Sequence, residues 1–197
     1  MIKKPIKGVL LDLDEVLADF AGGACRVHGK RLENLEPGEP RDLQVKLGLR
    51  SKEAFWKPIN SRGISFWEYL EPLPWIEELL IIARALSEEP IRIITTPPSG
   101  PGAHLAILGK HRWLVKILGW TDRNRYIFTR DKKIYSLPGY VLIDDSRKNV
   151  VRFSEGRGLG ILFPAYFNQY YEERNNPLPR VTNALLQIGE HNALHFP

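Results

Sequence analysis

The chain alternates between short apolar runs and longer amphipathic stretches. Five apolar runs are bounded by turn-forming or polar residues, which is typical of buried parallel strands. They occupy residues 6–13, 91–95, 125–128, 140–143 and 159–163. Strands that alternate with helices predict an α/β fold, and the pattern indicates a doubly wound, Rossmann-like parallel sheet of about five strands.

Helical patterns fill two of the intervals between the apolar runs. Residues 75–87 place apolar side chains on one face, with Pro74 near the start and Pro90 beyond the end. Residues 102–118 predict a second helix, which ends before Gly119. Towards the C-terminus the pattern predicts a loop and then a short closing helix near residues 180–188.

One segment breaks this alternation. About 60 residues separate the end of the first strand from the helix at residue 75, which is far more than one crossover needs. We expect residues 16–73 to form a small, mostly helical cap that is inserted after the first strand. Residues 1–15 and 74–197 would then form the α/β core.

The first strand ends in two carboxylates, Asp12 and Asp14. Residues two apart in an extended chain face the same side, so these acids repel each other unless a cation lies between them. Oxygen ligands of this kind favour a hard metal ion, and Mg²⁺ is the natural occupant. The structural alternative is that Asp12 ends a strand and Asp14 caps the following helix.

Later segments carry further polar groups that phosphoryl transfer needs. Thr95 ends the second run and is followed by Thr96, Lys132 lies in a basic loop, and Asp144 and Asp145 directly follow the fourth run. Strands of an open parallel sheet bring their C-terminal ends to one ligand site. We therefore expect these groups, which lie far apart in the sequence, to share one site with Asp12 and Asp14.

These four motifs, in this order, resemble those of the haloacid-dehalogenase-like (HAD) phosphohydrolases. More narrowly, the chain resembles the 5′(3′)-deoxyribonucleotidase family. The stretches that carry the narrower resemblance are residues 12–20, 70–74, 110–113, 129–132, 142–145 and 168–169. Glu15 stands where many relatives carry glycine, and Ser99 stands in a loop where related nucleotidases often have a basic residue.

The resemblance implies a role for each residue of the motifs. Asp12 would be the nucleophile, Asp14 would donate and accept protons and ligate Mg²⁺ through its main-chain carbonyl, and Thr95 would donate to a phosphoryl oxygen. Asp144 and Asp145 point to opposite faces, so one would ligate the metal and the other would support it, and we favour Asp145 as the ligand.

Two lysines compete for the role of stabilising the phosphate. Lys132 is our first choice. Lys110 interrupts an apolar helix stripe, where it would either contact the substrate or the nucleophile, or snorkel from the edge of the stripe. Thr96 and Arg130 are further candidate substrate contacts, although a surface salt bridge explains Arg130 equally well. Phe20 and Trp56 would stack a base, or would belong to the core of the cap.

Composition narrows the choice of partners and compartment. A single cysteine, Cys25, rules out an internal disulfide, and no apolar stretch approaches membrane-spanning length. We therefore expect a cytoplasmic protein, for which a homodimer is compatible with the sequence. The net charge of +5 allows a polyanionic partner, but the basic residues are dispersed, so direct binding of nucleic acid is the less favoured interpretation.

The sequence thus predicts a Mg²⁺-dependent phosphomonoester hydrolase that acts on nucleoside, more narrowly deoxyribonucleoside, monophosphates through an aspartyl-phosphate. One alternative keeps the chemistry and changes the substrate to a sugar phosphate, another small phosphomonoester or a polynucleotide end. The other alternative is a HAD-like domain that binds without catalysis.

Overall fold

A five-stranded parallel sheet forms the centre of the protein in a computed structural model that describes residues 6–39 and 42–195. The strands are β1 (Gly8–Leu11), β2 (Arg92–Thr95), β3 (Tyr126–Phe128), β4 (Tyr140–Asp144) and β5 (Leu159–Leu162). Their order is β3-β2-β1-β4-β5, and every neighbouring pair is parallel. The prediction of an α/β fold with five strands is confirmed.

β1 lies at the centre of the sheet and is buried on both faces. Each of its four residues is buried, and successive side chains point to opposite faces of the sheet. Val9 and Leu11 join the larger hydrophobic cluster, whereas Leu10 packs in a smaller cluster with Leu142 and Phe153. Because β1 lies between β2 and β4, the residues after it face groups from both neighbours.

Helices cover the sheet and fill the connections between strands. Within the described residues they are α1 (Phe20–Val27), α2 (Leu43–Lys46), α3 (Lys52–Ser61), α4 (Ile64–Glu68), α5 (Ile76–Leu86), α6 (Ala103–Leu118), α7 (Arg147–Ser154) and α8 (Leu178–His195). The two helices predicted at residues 75–87 and 102–118 correspond to α5 and α6. As expected, α6 ends at Gly119, whose φ of 65° is the left-handed conformation of a C-cap.

Two helices differ from the sequence-based expectation. No helix was predicted where α7 lies, because its residues are mostly polar and only Phe153 is buried in it. The closing helix α8 is longer than the predicted residues 180–188. Gly189, one residue beyond the predicted end, lies inside the helix and is buried.

The segment between β1 and α5 contains α1–α4, and we call residues 16–73 the cap. Its treatment as a domain separate from residues 1–15 and 74–197 stays a prediction. Residues 1–5 and 196–197 of the expected core and residues 40–41 of the cap lie outside the described residues. Among the helices that the structure describes, each is too short or too polar to cross a membrane.

Candidate active site

Three neighbouring strands deliver polar side chains to one edge of the sheet. Asp12 follows β1, Thr95 ends β2, and Asp144 ends β4 with Asp145 directly after it. The backbone N–H of Asp12 donates to the carbonyl of Ile143, so the pairing of β1 with β4 continues to the site. All four side chains are buried. The expected convergence of these groups is what the sheet order produces.

Asp12, Asp144 and Asp145 form a buried carboxylate cluster. One carboxylate oxygen from each lies within 4.8 Å of the others. Oxygen donors at this spacing are the ligand set of a hard divalent cation. The residues therefore fit a metal ion, and this observation comes from their geometry alone.

Within this cluster, protein donors already occupy the carboxylate of Asp144. Its Oδ1 accepts from the N–H of Ser146 at 2.8 Å, and its Oδ2 accepts from Lys132 at 2.6 Å. The side-chain amide of Asn149 donates to both oxygens, at 3.2 and 3.0 Å. Burial and the charge of Asp12 raise the pKa of Asp144, and Lys132 opposes that rise.

Lys132 lies between two of these acids. Its Nζ is 2.8 Å from Oδ1 of Asp12 and 2.6 Å from Oδ2 of Asp144, and the side chain is buried. Burial alone would lower the pKa of Lys132, but the two carboxylates outweigh burial and raise it. The ammonium therefore stays charged, and one of its three N–H groups remains for a phosphoryl oxygen.

Lys110 is fully buried, which excludes the snorkelling alternative. Its Nζ is 2.5 Å from Oδ2 of Asp14, 2.9 Å from Oγ1 of Thr95 and 3.4 Å from the carbonyl oxygen of Thr96. An ammonium has three N–H groups, and protein acceptors therefore use all of them. The structure pairs Lys110 with Asp14 rather than with the expected nucleophile Asp12.

Asp14 presents two unlike oxygens. Oδ2 accepts from Lys110, whereas Oδ1 is buried and has no hydrogen-bond partner. Burial raises the pKa of Asp14, the charge of Lys110 opposes the rise, and the nearby carboxylate of Asp12 adds to it. A carboxyl with one held oxygen and one open oxygen can carry a proton on the open one.

Glu15 occupies a turn that glycine would adopt without strain. Its φ is 63°, and it is the non-glycine residue with positive φ in the part of the chain that the structure describes. Its Oε1 accepts from the N–H of Ala21 at 2.6 Å, in the first turn of α1. The carboxylate thus satisfies a helix N-terminus, which explains how the turn accommodates glutamate.

The aromatic candidates Phe20 and Trp56 lie in a cluster of cap rings. Phe20 stacks on Trp67 with ring centroids 5.5 Å apart, and it lies 6.1 Å from Trp56. Both Phe20 and Trp56 are half-buried, whereas Trp67 and Phe66 are buried. In this cluster Trp67 and Phe66 are therefore the buried rings, and Phe20 and Trp56 are partly exposed.

The loop candidates lie farther out. Thr96 is exposed, and its contribution to the site is the carbonyl oxygen near Lys110. Arg130 is exposed, with its guanidinium 3.5 Å from the carbonyl oxygen of Pro98. Ser99 is exposed in the same loop. The structure places Arg130 beside the loop after β2 and outside the carboxylate cluster.

Two asparagines that support the site were given no role from the sequence. Asn149 holds Asp144 from the first turn of α7, and Asn168 donates to the carbonyls of Asp145 and Phe163 at 3.0 and 2.8 Å. Trp67 covers Lys110, with the ammonium 5.0 Å from a ring centroid. A helix predicted after Asp145 would have placed Asn149 near Asp144, but no helix was predicted there.

Comparison with known proteins identifies the family. A family model described as "5' nucleotidase, deoxy (Pyrimidine), cytosolic type C protein" matches residues 4–183. The chain belongs to this family. It is 32% identical over 156 residues to the human cytosolic-type 5'(3')-deoxyribonucleotidase, covering 75% of this chain and 73% of that protein. The resemblance to 5′(3′)-deoxyribonucleotidases is therefore confirmed.

Two further similarities agree with this membership. The human mitochondrial 5'(3')-deoxyribonucleotidase is 28% identical over 179 residues, covering 83% of this chain and 73% of that protein. A haloacid-dehalogenase-like hydrolase from Xanthomonas campestris shares the fold with a TM-score of 0.54 and 15% identity, over 95% of this chain and 100% of that one. The protein is a phosphatase of the 5′-nucleotidase type with a haloacid-dehalogenase-like fold. Because the relatives are named cytosolic and mitochondrial, the cytoplasmic location stays a prediction.

Proposed function

We propose that this protein hydrolyses nucleoside monophosphates, with deoxyribonucleotides preferred, through an aspartyl-phosphate on Asp12 and with Mg²⁺ as cofactor. The observation that carries the proposal is the division of labour between the two buried lysines. Lys132 binds Asp12 and keeps one N–H for the phosphate, whereas Lys110 is committed to Asp14 and Thr95. Nucleophile and proton carrier thus each have a cation of their own.

The first half-reaction forms the bond between Asp12 and phosphorus and breaks the bond between phosphorus and the leaving oxygen. Oδ1 of Asp12 accepts from Lys132 and from the N–H of Leu13, so Oδ2 is the oxygen we assign to the attack. The proton on Oδ1 of Asp14 moves to the leaving oxygen, which departs as an alcohol. The hydroxyl oxygen of Thr95 accepts a hydrogen bond from Lys110. The hydroxyl proton of Thr95 therefore remains available to donate to a phosphoryl oxygen.

The second half-reaction releases the phosphate. Asp14, now a carboxylate, accepts a proton from the attacking water, and the bond between phosphorus and Asp12 breaks to give inorganic phosphate. Asp12, Asp145 and the main-chain carbonyl of Asp14 would hold Mg²⁺, which neutralises charge on the phosphoryl oxygens. We assign Asp145 to the metal, and we assign Asp144, which accepts from Lys132, Ser146 and Asn149, to the support of the site.

The partly exposed rings of Phe20 and Trp56 support a nucleotide as the substrate. Stacking of a base on an aromatic ring contributes about 1–3 kcal/mol. Removing either ring should therefore weaken the binding of nucleotides. It should leave unchanged the binding of a small phosphomonoester that contacts only the residues at the sheet edge. A sugar phosphate is the competing substrate. It is supported by Ser99, which stands in a loop where related nucleotidases often have a basic residue.

The test is a phosphate-release assay on the purified protein, with deoxyribo- and ribonucleoside monophosphates, sugar phosphates and p-nitrophenyl phosphate. Each substrate is measured with Mg²⁺ and after exhaustive chelation, for the wild type and for Asp12→Asn, Phe20→Ala and Trp56→Ala. Glu155→Gln, which removes an exposed carboxylate that forms a surface ion pair with Lys133, is the matched charge control.

The proposal expects turnover that needs the metal, is abolished by Asp12→Asn and survives Glu155→Gln. Full turnover after chelation, or near-wild-type turnover of folded Asp12→Asn, would contradict the mechanism. Phe20→Ala and Trp56→Ala could instead weaken the binding of nucleotides and of p-nitrophenyl phosphate equally. That result would mean that the rings hold the cap together and that the substrate is not a nucleotide recognised by its base.

A further inference from the structure

Helix α4 of the cap packs against α6, the core helix that carries Lys110. Gly109 of α6 lies at this contact. A Cβ on Gly109 would be 2.5 Å from Cβ of Trp67 and 2.6 Å from the carbonyl oxygen of Ile64. Only glycine lets the two helices approach this closely.

Further contacts along α6 hold the same part of the cap. Arg112 forms an ion pair with Glu68 at 3.2 Å, and the indole N–H of Trp113 donates to the carbonyl of Leu70 at 2.8 Å. One turn later, the ammonium of Lys116 lies 4.1 Å from the ring centroid of Tyr69. The cap residues that follow Trp67 are therefore seated on the core helix that carries Lys110.

The consequence of this seating is the position of the Trp67 ring. The ammonium of Lys110 is bonded to Asp14, Thr95 and Thr96, and a ring centroid of Trp67 lies 5.0 Å away. Both Lys110 and Trp67 are buried, with exposures of 0% and 2%. A cation over an indole face is attracted to it, and the attraction is stronger when water is excluded.

We propose that Trp67 and Lys110 are positioning residues for Asp14: the cap's indole holds the Lys110 ammonium, and Lys110 in turn holds Oδ2 of Asp14. Oδ1 is then directed to the leaving oxygen. The cap thus contributes to proton donation and not only to substrate choice. This inference rests on the proposed role of Asp14 as the proton donor.

The reaction step gives a readout that a merely structural role would not change. In the first half-reaction the P–O bond to the leaving group breaks while Asp14 transfers its proton to that oxygen. A p-nitrophenolate leaves without protonation, whereas phenolate leaves more slowly unless it receives the proton. The ratio of kcat/KM for phenyl phosphate to that for p-nitrophenyl phosphate therefore measures proton donation, on two substrates of nearly equal size.

The experiment measures this ratio for the wild type, Trp67→Phe, Trp67→Leu and Lys110→Met. Asp14→Asn is the reference for lost proton donation. Phe66→Leu is the matched cap control, because Phe66 is a buried ring that packs edge-on against Trp67 at 5.0 Å. Thermal unfolding of each variant reports whether it is folded. If Trp67→Leu does not fold, Trp67→Phe and Lys110→Met carry the test.

We expect Trp67→Leu to lower the ratio by about tenfold, and Trp67→Phe by less because a phenyl face attracts a cation less than an indole. Lys110→Met should approach Asp14→Asn, within the range of about 10²–10⁴-fold for general acid catalysis. Phe66→Leu should change both substrates alike and leave the ratio at the wild-type value.

Two outcomes would overturn the inference, and they are distinguishable. A wild-type ratio in Trp67→Phe and Lys110→Met, beside a lowered ratio in Asp14→Asn, would refute the positioning role and leave the proposed function intact. A wild-type ratio in Asp14→Asn would refute Asp14 as proton donor, and with it both the proposed mechanism and this inference.

Discussion

Glu15 shows how a residue that conflicts with its backbone can still stabilise it. A non-glycine residue at φ 63° costs on the order of 1 kcal/mol, but the Glu15 carboxylate accepts from the N–H of Ala21. We expect Glu15→Ala to lower the free energy of unfolding by about 1–2 kcal/mol, because it loses the hydrogen bond and keeps the strain. Glu15→Gly should cost less, because the strain disappears. Urea unfolding of both variants tests this, and an equal loss in both would contradict it.

Cys25 gives a prediction for alkaline pH. Burial raises the pKa of its thiol to about 11, and the nearby charges of Asp19 and Glu15 act in the same direction. The unfolded chain loses the thiol proton at lower pH than the folded protein does. Folding stability should therefore fall as pH rises from about 9 to about 11, by about 2–3 kcal/mol in total.

Cys25→Ala isolates this contribution. Urea unfolding of the wild type and the variant at several pH values gives the difference between their free energies of unfolding. Below about pH 8 this difference should be constant, since the thiol is protonated in both states. Above that pH the free energy of unfolding of the wild type should fall relative to that of Cys25→Ala as the pH rises. A difference that stays constant to about pH 11 would mean that the thiol is not perturbed.

The role of Lys110 could not be predicted from the sequence. The sequence shows a lysine in an apolar stripe, which fits either a snorkelling side chain or a site residue. Its partners Thr95 and Asp14 are 15 and 96 positions away, so only the packing of α6 against the sheet decides between the two. Asp12 and Asp145, in contrast, lie at strand ends, and their convergence follows from strand order alone.

At the scale of elements, strands were easier to predict than helices. The inner strands β1 and β4 are continuous apolar runs because both of their faces are buried, and the partly exposed edge strands β3 and β5 are still short apolar runs. α7 offers no such signal, since it is a polar surface helix. α8 continues past the predicted end at residue 188 and includes Gly189, because burial of that glycine overrides its weak helix propensity.

The contact between α4 and α6 gives an element-scale prediction. Gly109→Ala should destabilise the protein by about 1–3 kcal/mol although alanine is the better helix former, because the added methyl meets Trp67 and the backbone of Ile64. It should also lower kcat/KM for phosphomonoesters, since Trp67 must move away from Lys110. Urea unfolding and steady-state kinetics measure the two effects.

Gly48→Ala is the control for that variant. Gly48 has a φ of 72° and no heavy atom within 4 Å of an added Cβ, so alanine there meets strain but no clash. It should cost about 1–2 kcal/mol of stability and leave kcat/KM unchanged. If Gly109→Ala also leaves kcat/KM unchanged, the seating of α4 does not affect catalysis.

At the scale of the whole molecule, a protein with a net charge of +5 concentrates negative charge at one point. Asp12, Asp144 and Asp145 are buried together, and Lys132 is the cation that contacts two of them. The folded protein keeps these acids close, whereas the unfolded chain separates them. A divalent cation that fits the cluster should therefore bind the folded state in preference to the unfolded one.

Mg²⁺ should thus stabilise the protein in the absence of substrate. At a concentration about 100 times its dissociation constant, it would add about 2.7 kcal/mol to the free energy of unfolding. For a chain of this size that corresponds to a rise in Tm of about 5–10 °C. Asp145→Asn should abolish the rise, because it removes the carboxylate that we assign to the metal, while Glu155→Gln should keep it. The comparison uses the Mg²⁺-induced change within each variant, since removing a repelling charge can itself raise Tm. A rise that persists in Asp145→Asn would move the metal to other ligands, and the absence of any rise in the wild type would argue against a divalent cation in this cluster.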